Sequence, residues 1–267
     1  MTIFDNTMAN MNWTQLQKAV EEEALVLLPL GVIEEHGPHL CLGTDIYIAH
    51  LQCLAVQKAL AQQGHASVIA PPFYWGICQA NAGFIGCFTA RKETVKAVLL
   101  DLFASLSEFG FRSVYGVNAH GDIEHGVAMM EAFREAGEQL PIRACYGFAQ
   151  ERLAPFGLSG EEPFLYVVQP SSASIGASAV PDVHGGDIET AVVHGFYPEL
   201  VDAELAKSLP PVSLAQDKGM EWLFGGHIQE LSPQGYLGAP ADFEGVDVQA
   251  YLEDAARRIC EGILKRL

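Results

Sequence analysis

The segment Glu34-Glu35-His36-Gly37-Pro38-His39, closed by Asp45, gathers carboxylates and imidazoles within twelve residues. Oxygen and nitrogen donors in this mixture suit one or two divalent cations. Glu34 and His36 are two residues apart, so an extended backbone turns both side chains to one face. Asp45 opens the next element, where helix amides favour an anion, and its carboxylate can bridge two ions. Two later segments carry the same chemistry: Asn118-Ala119-His120-Gly121-Asp122 and Asp182-Val183-His184-Gly185-Gly186-Asp187-Ile188-Glu189. Three such clusters in one chain point to a metallohydrolase.

Within the second cluster His120 is the candidate ligand. Gly121 beside it lets backbone or substrate come close, and Asn118 can orient the loop or a water. Asp122 can bind a second ion or serve ordinary turn chemistry. In the third cluster His184 can move protons or hold a leaving group, and Glu189, at a helix start, is a candidate ligand. His39 sits in the loop facing the site, whereas His50, His65, His194 and His227 read as structural or exposed. Glu124 and His125 read as supporting or solvent-facing. Phe73, Tyr74, Trp75 and Phe84 come after the second strand and are candidate pocket walls. A dinucleotide fingerprint, a P-loop and an HExxH helix are absent, and so is a GxSxG elbow.

The elements must present these clusters together. Residues 12–23 read as a short helix capped by Asn12. Residues 24–29 (ALVLLP) form an apolar run of strand length that empties into the first cluster. A helix follows from Thr44 or Asp45 to residue 62, then a strand over 66–70 (ASVIA) ended by Pro71-Pro72. A helix from Thr89 or Ala90 to residue 109 stops at Gly110. The strand 112–117 (RSVYGV) feeds the second cluster. A helix over 126–138 and a strand over 142–148 come next. The stretch 151–169 reads as a lid or an oligomer contact. A helix starts at Ile188, residues 197–216 read as loop with one helical turn, 223–235 as loop or strand, and 246–267 as a terminal helix. Alternating strands and helices imply a three-layer α/β/α fold around a central, mostly parallel sheet. Such folds place sites at strand ends.

Acidic groups number 33 against 15 Lys plus Arg, a formal charge of -18. That excludes nucleic acid and anionic membranes as default partners. The chain is 49% hydrophobic over 267 residues, which supports a single domain over 1–267 with a substantial core. The N-terminus lacks the basic start and apolar core of a signal peptide. Apolar runs fall short of the roughly 20 residues that span a bilayer, so a cytoplasmic location is expected. The six cysteines (41, 53, 78, 87, 145 and 260) show no CxxC spacing and read as free, mostly buried thiols.

The three clusters resemble the motifs of the creatininase family of metal-dependent amidohydrolases. LPLGVIEEHGPHLCLGTD resembles a strand leading to E-x-H-G-x-H-L-P-x-x-T-D, VNAHGD resembles N-x-H-G, and DVHGGDIET resembles D-x-H-A-G-x-x-E-T. Order and spacing agree from about Trp13 to Leu267. The resemblance implies an α/β fold and two divalent ions, Zn(2+) or Mn(2+) with Fe(2+) as an option. It also implies a homo-oligomer, commonly a hexamer. Carried across by position, Glu34, His36, Asp45 and His120 are metal ligands with Asp45 bridging. Glu189 is the first choice for a fifth ligand and Asp122 the second, and His184 matches the proton-handling histidine. His39, Tyr74, Trp75, Phe84, Asn118 and Gly121 would line the pocket.

The chain also departs from the pattern. HGGD stands for HAGE, Cys41 for Pro and Cys87 for Thr. Phe156, Phe164 and Tyr166 are the aromatics between residues 150 and 175, where creatinine-enclosing tryptophans are expected. The expected reaction is hydrolysis of a C–N amide other than a peptide bond, by a water bridging two ions. A small cyclic amide, a formamide or a small peptide-like molecule is the substrate. The alternatives are a non-catalytic metal-binding or ligand-binding homologue, or a metal-dependent phosphoesterase.

Overall fold

The structure is a computed structural model that describes residues 2–173, 175–176, 178–213 and 228–267. Ser174, His227, Gly225-Gly226 and the first part of the 223–235 stretch lie outside the described residues, as do residues 214–216.

Among the described residues five strands form one sheet: β1 Leu25–Leu30, β2 Ser67–Ile69, β3 Ser113–Asn118, β4 Arg143–Ala149 and β5 Leu165–Val168. Their order is β2-β1-β3-β4-β5, and every pairing is parallel. All six residues of β1 are buried, as a strand covered on both faces requires. Its side chains alternate between two cores. Val26, Leu28 and Leu30 meet Leu99, Phe103, Met129 and Phe133, which belong to helices α3 (Lys92–Phe109) and α4 (Ile123–Gln139). Leu25 and Leu27 meet Cys53, Val56 and Leu60 with Ala256, Ile259 and Ile263, on helix α2 (Thr44–Gln62) and the C-terminal helix Val248–Leu264. Helices therefore cover both faces, giving the expected α/β/α layers. Each large core side chain contributes about 1.5–3 kcal/mol through burial.

Helix α1 (Trp13–Glu21) carries the Asn12 cap within a capping box closed by Gln15. Gly110 ends α3 in the left-handed region. Other elements differ from the sequence reading. Helix α4 starts at Ile123, three residues earlier than expected, because the Asp122 side chain caps it by accepting from His125 N–H. Helix α3 starts at Lys92. Part of the 151–169 stretch is not a lid: Leu165–Val168 pairs with β4 as the edge strand, and its β-branched, apolar LYVV suits that place. Ile228–Leu231 forms a helical turn rather than loop or strand. No helix among the described residues is long and apolar enough to cross a membrane.

Candidate metal centre

Parallel strands end together, so the segments leaving β1 and β3 meet at one edge of the sheet. Glu34 and His36 come from the β1 exit, and His120 from the β3 exit. Asp45 stands in the first turn of α2, and Glu189 in the first turn of helix α5 (Asp187–Phe196). Gly31 lets the strand exit run close to α2, for a Cβ there would sit 2.9 Å from Asp45 Cβ. Gly185 has φ +60, and a Cβ would meet the His36 carbonyl at 2.7 Å. His184 is pinned by paired backbone bonds with Leu237, 3.0 and 2.7 Å long.

Each imidazole has one ring nitrogen on a backbone carbonyl and the other facing inward. His120 Nε2 bonds Ile77 O at 3.0 Å, which aims Nδ1 at Glu34 Oε1 (3.0 Å) and Asp45 Oδ2 (3.1 Å). His36 Nδ1 lies 3.2 Å from Glu34 O. Its Nε2 faces Asp45 Oδ1 at 3.3 Å, Glu189 Oε2 at 3.8 Å and Glu34 Oε1 at 3.9 Å. His184 Nε2 lies 2.6 Å from Glu35 O, and Nδ1 is 3.9 Å from Glu34 Oε1. A carbonyl that fixes the outer nitrogen and leaves the inner lone pair free is the usual support of a metal-binding imidazole.

Among the described residues four groups of donor atoms lie within 4.8 Å of one another: Glu34 with His36 and His184, Glu34 with Cys78 and Cys87, and the two that share a bridging candidate, Glu34 with Asp45 and His120 and His36 with Asp45 and Glu189. Asp45 belongs to both of the last two. Its Oδ2 is buried beside His120 Nδ1 at 3.1 Å and meets no other hydrogen-bond donor among the described residues. An acceptor left so in the protein interior is costly unless a cation meets it. This donor set of carboxylates and imidazoles fits zinc or manganese.

The electrostatics agree. Burial pushes Glu34 up, but His120 and His184 outweigh both burial and Asp45, and the carboxyl is held at about 2. Burial likewise opposes ionisation of Asp45, yet His120 and His36 hold it well below the carboxylate range. Burial lowers His36 and His120, and their carboxylate neighbours reverse this, raising both well above the ordinary histidine value. The carboxylates thus demand positive charge, which protons or metal ions can supply.

Asp122 stands apart from both donor sets. Its Oδ2 accepts from Gln79 N–H (2.7 Å) and Ala80 N–H (2.9 Å), and Oδ1 from His125 N–H (2.9 Å). Here Asp122 acts as a strut between α4 and the 79–81 loop. His125 is fully buried rather than solvent-facing, and burial with His120 pushes it down to about 3. The cleft over the donors has a volume near 170 Å³ and is lined by Glu34, Asp45, Asn81, His120, Gly121, Arg152, His184 and Glu189, among others. Asn118 lines an adjoining lobe. His39, Tyr74, Trp75 and Phe84 line neither. His39 is buried and bonds Thr190 Oγ1 at 2.8 Å. Trp75 is 52% exposed and packs against Tyr74 and Phe88, and Phe84 packs on Ala80, Ile228 and Leu237.

Sequence reasoning missed four contributors. Asn81 Nδ2 donates to Glu34 Oε2 at 3.0 Å and lies 2.9 Å from His184 Nε2. Cys78 Sγ donates to the same Glu34 oxygen at 2.9 Å. Asp182 accepts from Gly186 and Glu189 N–H and ties the third segment together. Burial and then Glu189 push its carboxyl up to about 7. Arg152, in the stretch expected to be a lid, reaches the cleft. Asp182 stands in the third motif, where its role was not assigned; Asn81, Cys78 and Arg152 sit in no spacing pattern that a sequence exposes.

A family model described as creatinine amidohydrolase matches residues 9–263. A mycofactocin precursor peptide peptidase of Mycobacterium ulcerans is 30% identical over 230 residues, covering 83% of this chain and 77% of that protein. The creatinine amidohydrolase of Pseudomonas putida is 22% identical over 209 residues, covering 76% of each. A solved creatininase mutant described as Zn-Zn type superposes with a TM-score of 0.68 at 18% identity, covering 99% of this chain and 98% of that one. A structure described as creatininase Mn gives 0.62 at 18% identity, over 97% and 96%. At such identity the structural likeness speaks for the fold alone. The family match extends over nearly the whole sequence, from the first helix to the last, and this chain belongs to the creatininase family.

Proposed function

We propose that the protein is a metal-dependent amidohydrolase whose buried centre holds two divalent cations, zinc or manganese. The observation that carries this is Asp45, whose two oxygens face His36 and His120 separately and which completes both donor sets. Glu34, Asp45 and His120 would hold one ion, and His36, Asp45 and Glu189 the other. When bound, the ions supply Lewis acidity toward a water and an amide carbonyl.

The chain's own groups do the rest. The Glu35 carbonyl lies against His184 Nε2 and so turns Nδ1 toward the centre. That nitrogen takes a proton from the attacking water and delivers it to the leaving amine. Asn81 and Cys78 hold Glu34 through its outer oxygen, leaving Oε1 for the cation.

The cleft continues into a second lobe of about 250 Å³ lined by Tyr146, Phe148 and Phe156. Ala119 to Asp122 and Arg152 border both lobes, and among the described residues Arg152 is the one Lys or Arg lining either. In a chain of net charge -18, a cation there favours a substrate carboxylate. The two lobes and Arg152 support a linear amide bearing a carboxylate, short peptides included, over a small cyclic amide. The similarity to a peptide peptidase agrees.

The test is metal content by plasma mass spectrometry on protein purified without chelator, with hydrolysis assays on lactams, formamides and short peptides. About two ions per chain, and turnover of carboxylate-bearing amides lost in His36→Ala, are expected. Stoichiometric metal without turnover would leave a binding homologue. No metal, even after zinc or manganese is added, refutes the centre.

A further inference from the structure

Cys78 and Cys87 meet beside the centre. Cys78 is buried and donates to Glu34 Oε2. Cys87 is half-buried and accepts the Glu35 N–H on Sγ at 3.5 Å. Both sulfurs and a Glu34 oxygen lie within 4.8 Å of one another. The backbone enforces this approach. Ala90 N–H donates to Gly76 O at 2.8 Å and Phe88 N–H to Ile33 O at 3.0 Å, while Cys78 N–H donates to Thr89 Oγ1 at 3.0 Å. The segments flanking the two cysteines are thus held side by side, with the two sulfurs within 4.8 Å.

We propose that Cys78 and Cys87 form a reversible disulfide on exposure to a hydroperoxide, and that this bridge weakens metal binding at the adjacent centre. Cys87, the more accessible thiol, attacks the peroxide: an S–O bond forms, the O–O bond breaks, and an alcohol or water leaves with the thiol proton. Cys78 sulfur then attacks the Cys87 sulfenic acid. The S–S bond forms, the S–O bond breaks and water leaves with the second thiol hydrogen. The two cysteines lose two electrons and two protons, and the peroxide gains them.

Once bridged, Cys78 has no proton to give Glu34, which keeps Asn81 as its outer donor. The bridge also closes the loop that carries Asn81 and the Gln79 and Ala80 amides gripped by Asp122. Loss of an outer partner of a ligating group costs about 10–100-fold in metal affinity. The bridge itself stands on sulfur placement alone; its effect on metal rests on the amidohydrolase reading.

Two measurements separate these parts. Metal-free protein is treated with hydrogen peroxide, alkylated, digested without reductant and mapped by mass spectrometry. The expected product is a Cys78–Cys87 linked peptide lighter by two hydrogens and reversed by dithiothreitol, and in Cys78→Ser a trapped Cys87 sulfenic acid. Cys87 advancing to sulfinic or sulfonic acid while Cys78 stays alkylable overturns the bridge. Zinc affinity is then read against a chromophoric chelator. Oxidised protein should bind roughly 10–100-fold more weakly and recover on reduction, and Cys87→Ser should not respond to peroxide. A linked peptide with unchanged zinc affinity overturns the control. Reduced protein that binds no zinc refutes the metal centre and with it that control, whatever the sulfurs do.

Discussion

Replacing Asp122 by Ala separates a strut from a ligand. The carboxylate serves three backbone donors, and Asp122 is only 3% exposed. Losing the cap of α4 costs about 1 kcal/mol. Leaving the buried Ala80 amide without its charged acceptor costs about 1–3 kcal/mol, and the part-buried Gln79 amide adds a smaller share. The sum is about 4 kcal/mol. For a chain of this size each kcal/mol moves the melting temperature by about 2–4 °C, so Asp122→Ala should melt roughly 10 °C below the parent. Asp122→Asn keeps an acceptor and should lose about half as much. Metal stoichiometry should hold in both, while turnover falls because Asn81 sits on the loop that Asp122 anchors. Calorimetry with metal analysis on the same samples reads all of this. A variant that melts within about 2 °C of the parent yet loses an ion would show that the carboxylate binds metal and is no strut.

Asp45→Asn should abolish the thermal stabilisation by zinc, which at a hundredfold excess over Kd is worth about 2.7 kcal/mol; a full zinc-induced shift in the variant would remove Asp45 from the centre. Arg152→Ala should raise KM about tenfold, or about 1.4 kcal/mol, for amides bearing a carboxylate, with kcat nearly constant. An equal rise for their neutral amide counterparts would contradict the carboxylate assignment. His50 donates through Nε2 to the Asp5 carbonyl at 2.8 Å, and its Nδ1 is enclosed without a partner. Burial lowers its pKa below 6.5 despite the hydrogen bond. The fold therefore disfavours the proton, and the His50 contribution to stability is full above pH 6.5 and declines as pH falls through that value toward the lowered one. Denaturant midpoints compared at pH 7 and 5 should drop more in the parent than in His50→Gln, and parallel drops would count against this account.

The residues that the sequence displayed and those it hid divide along a physical line. The ends of β1 and β3 were readable because a doubly covered strand must be an unbroken apolar run, and polar groups directly after it have one edge of the sheet to occupy. Glu34 and His36 come after one such run, His120 after the other, and Asp45 and Glu189 stand in the first turns of helices, so short-range rules sufficed to bring five donors together. The 73–88 loop obeys no period. Cys78 and Asn81 reach Glu34 from 44 and 47 residues away, a contact fixed by tertiary packing alone. The same loop hid the fate of Trp75 and Phe84: an aromatic residue near a site by sequence can face solvent or an outlying core, and nothing local decides which. Asp122 shows the converse. Its carboxylate in a ligand-like motif was legible, but its three backbone partners were not, since two of them come from a loop some forty residues earlier. The candidate metal-binding residues were therefore easier to find than those that hold them, although the latter set the orientation on which metal affinity would depend.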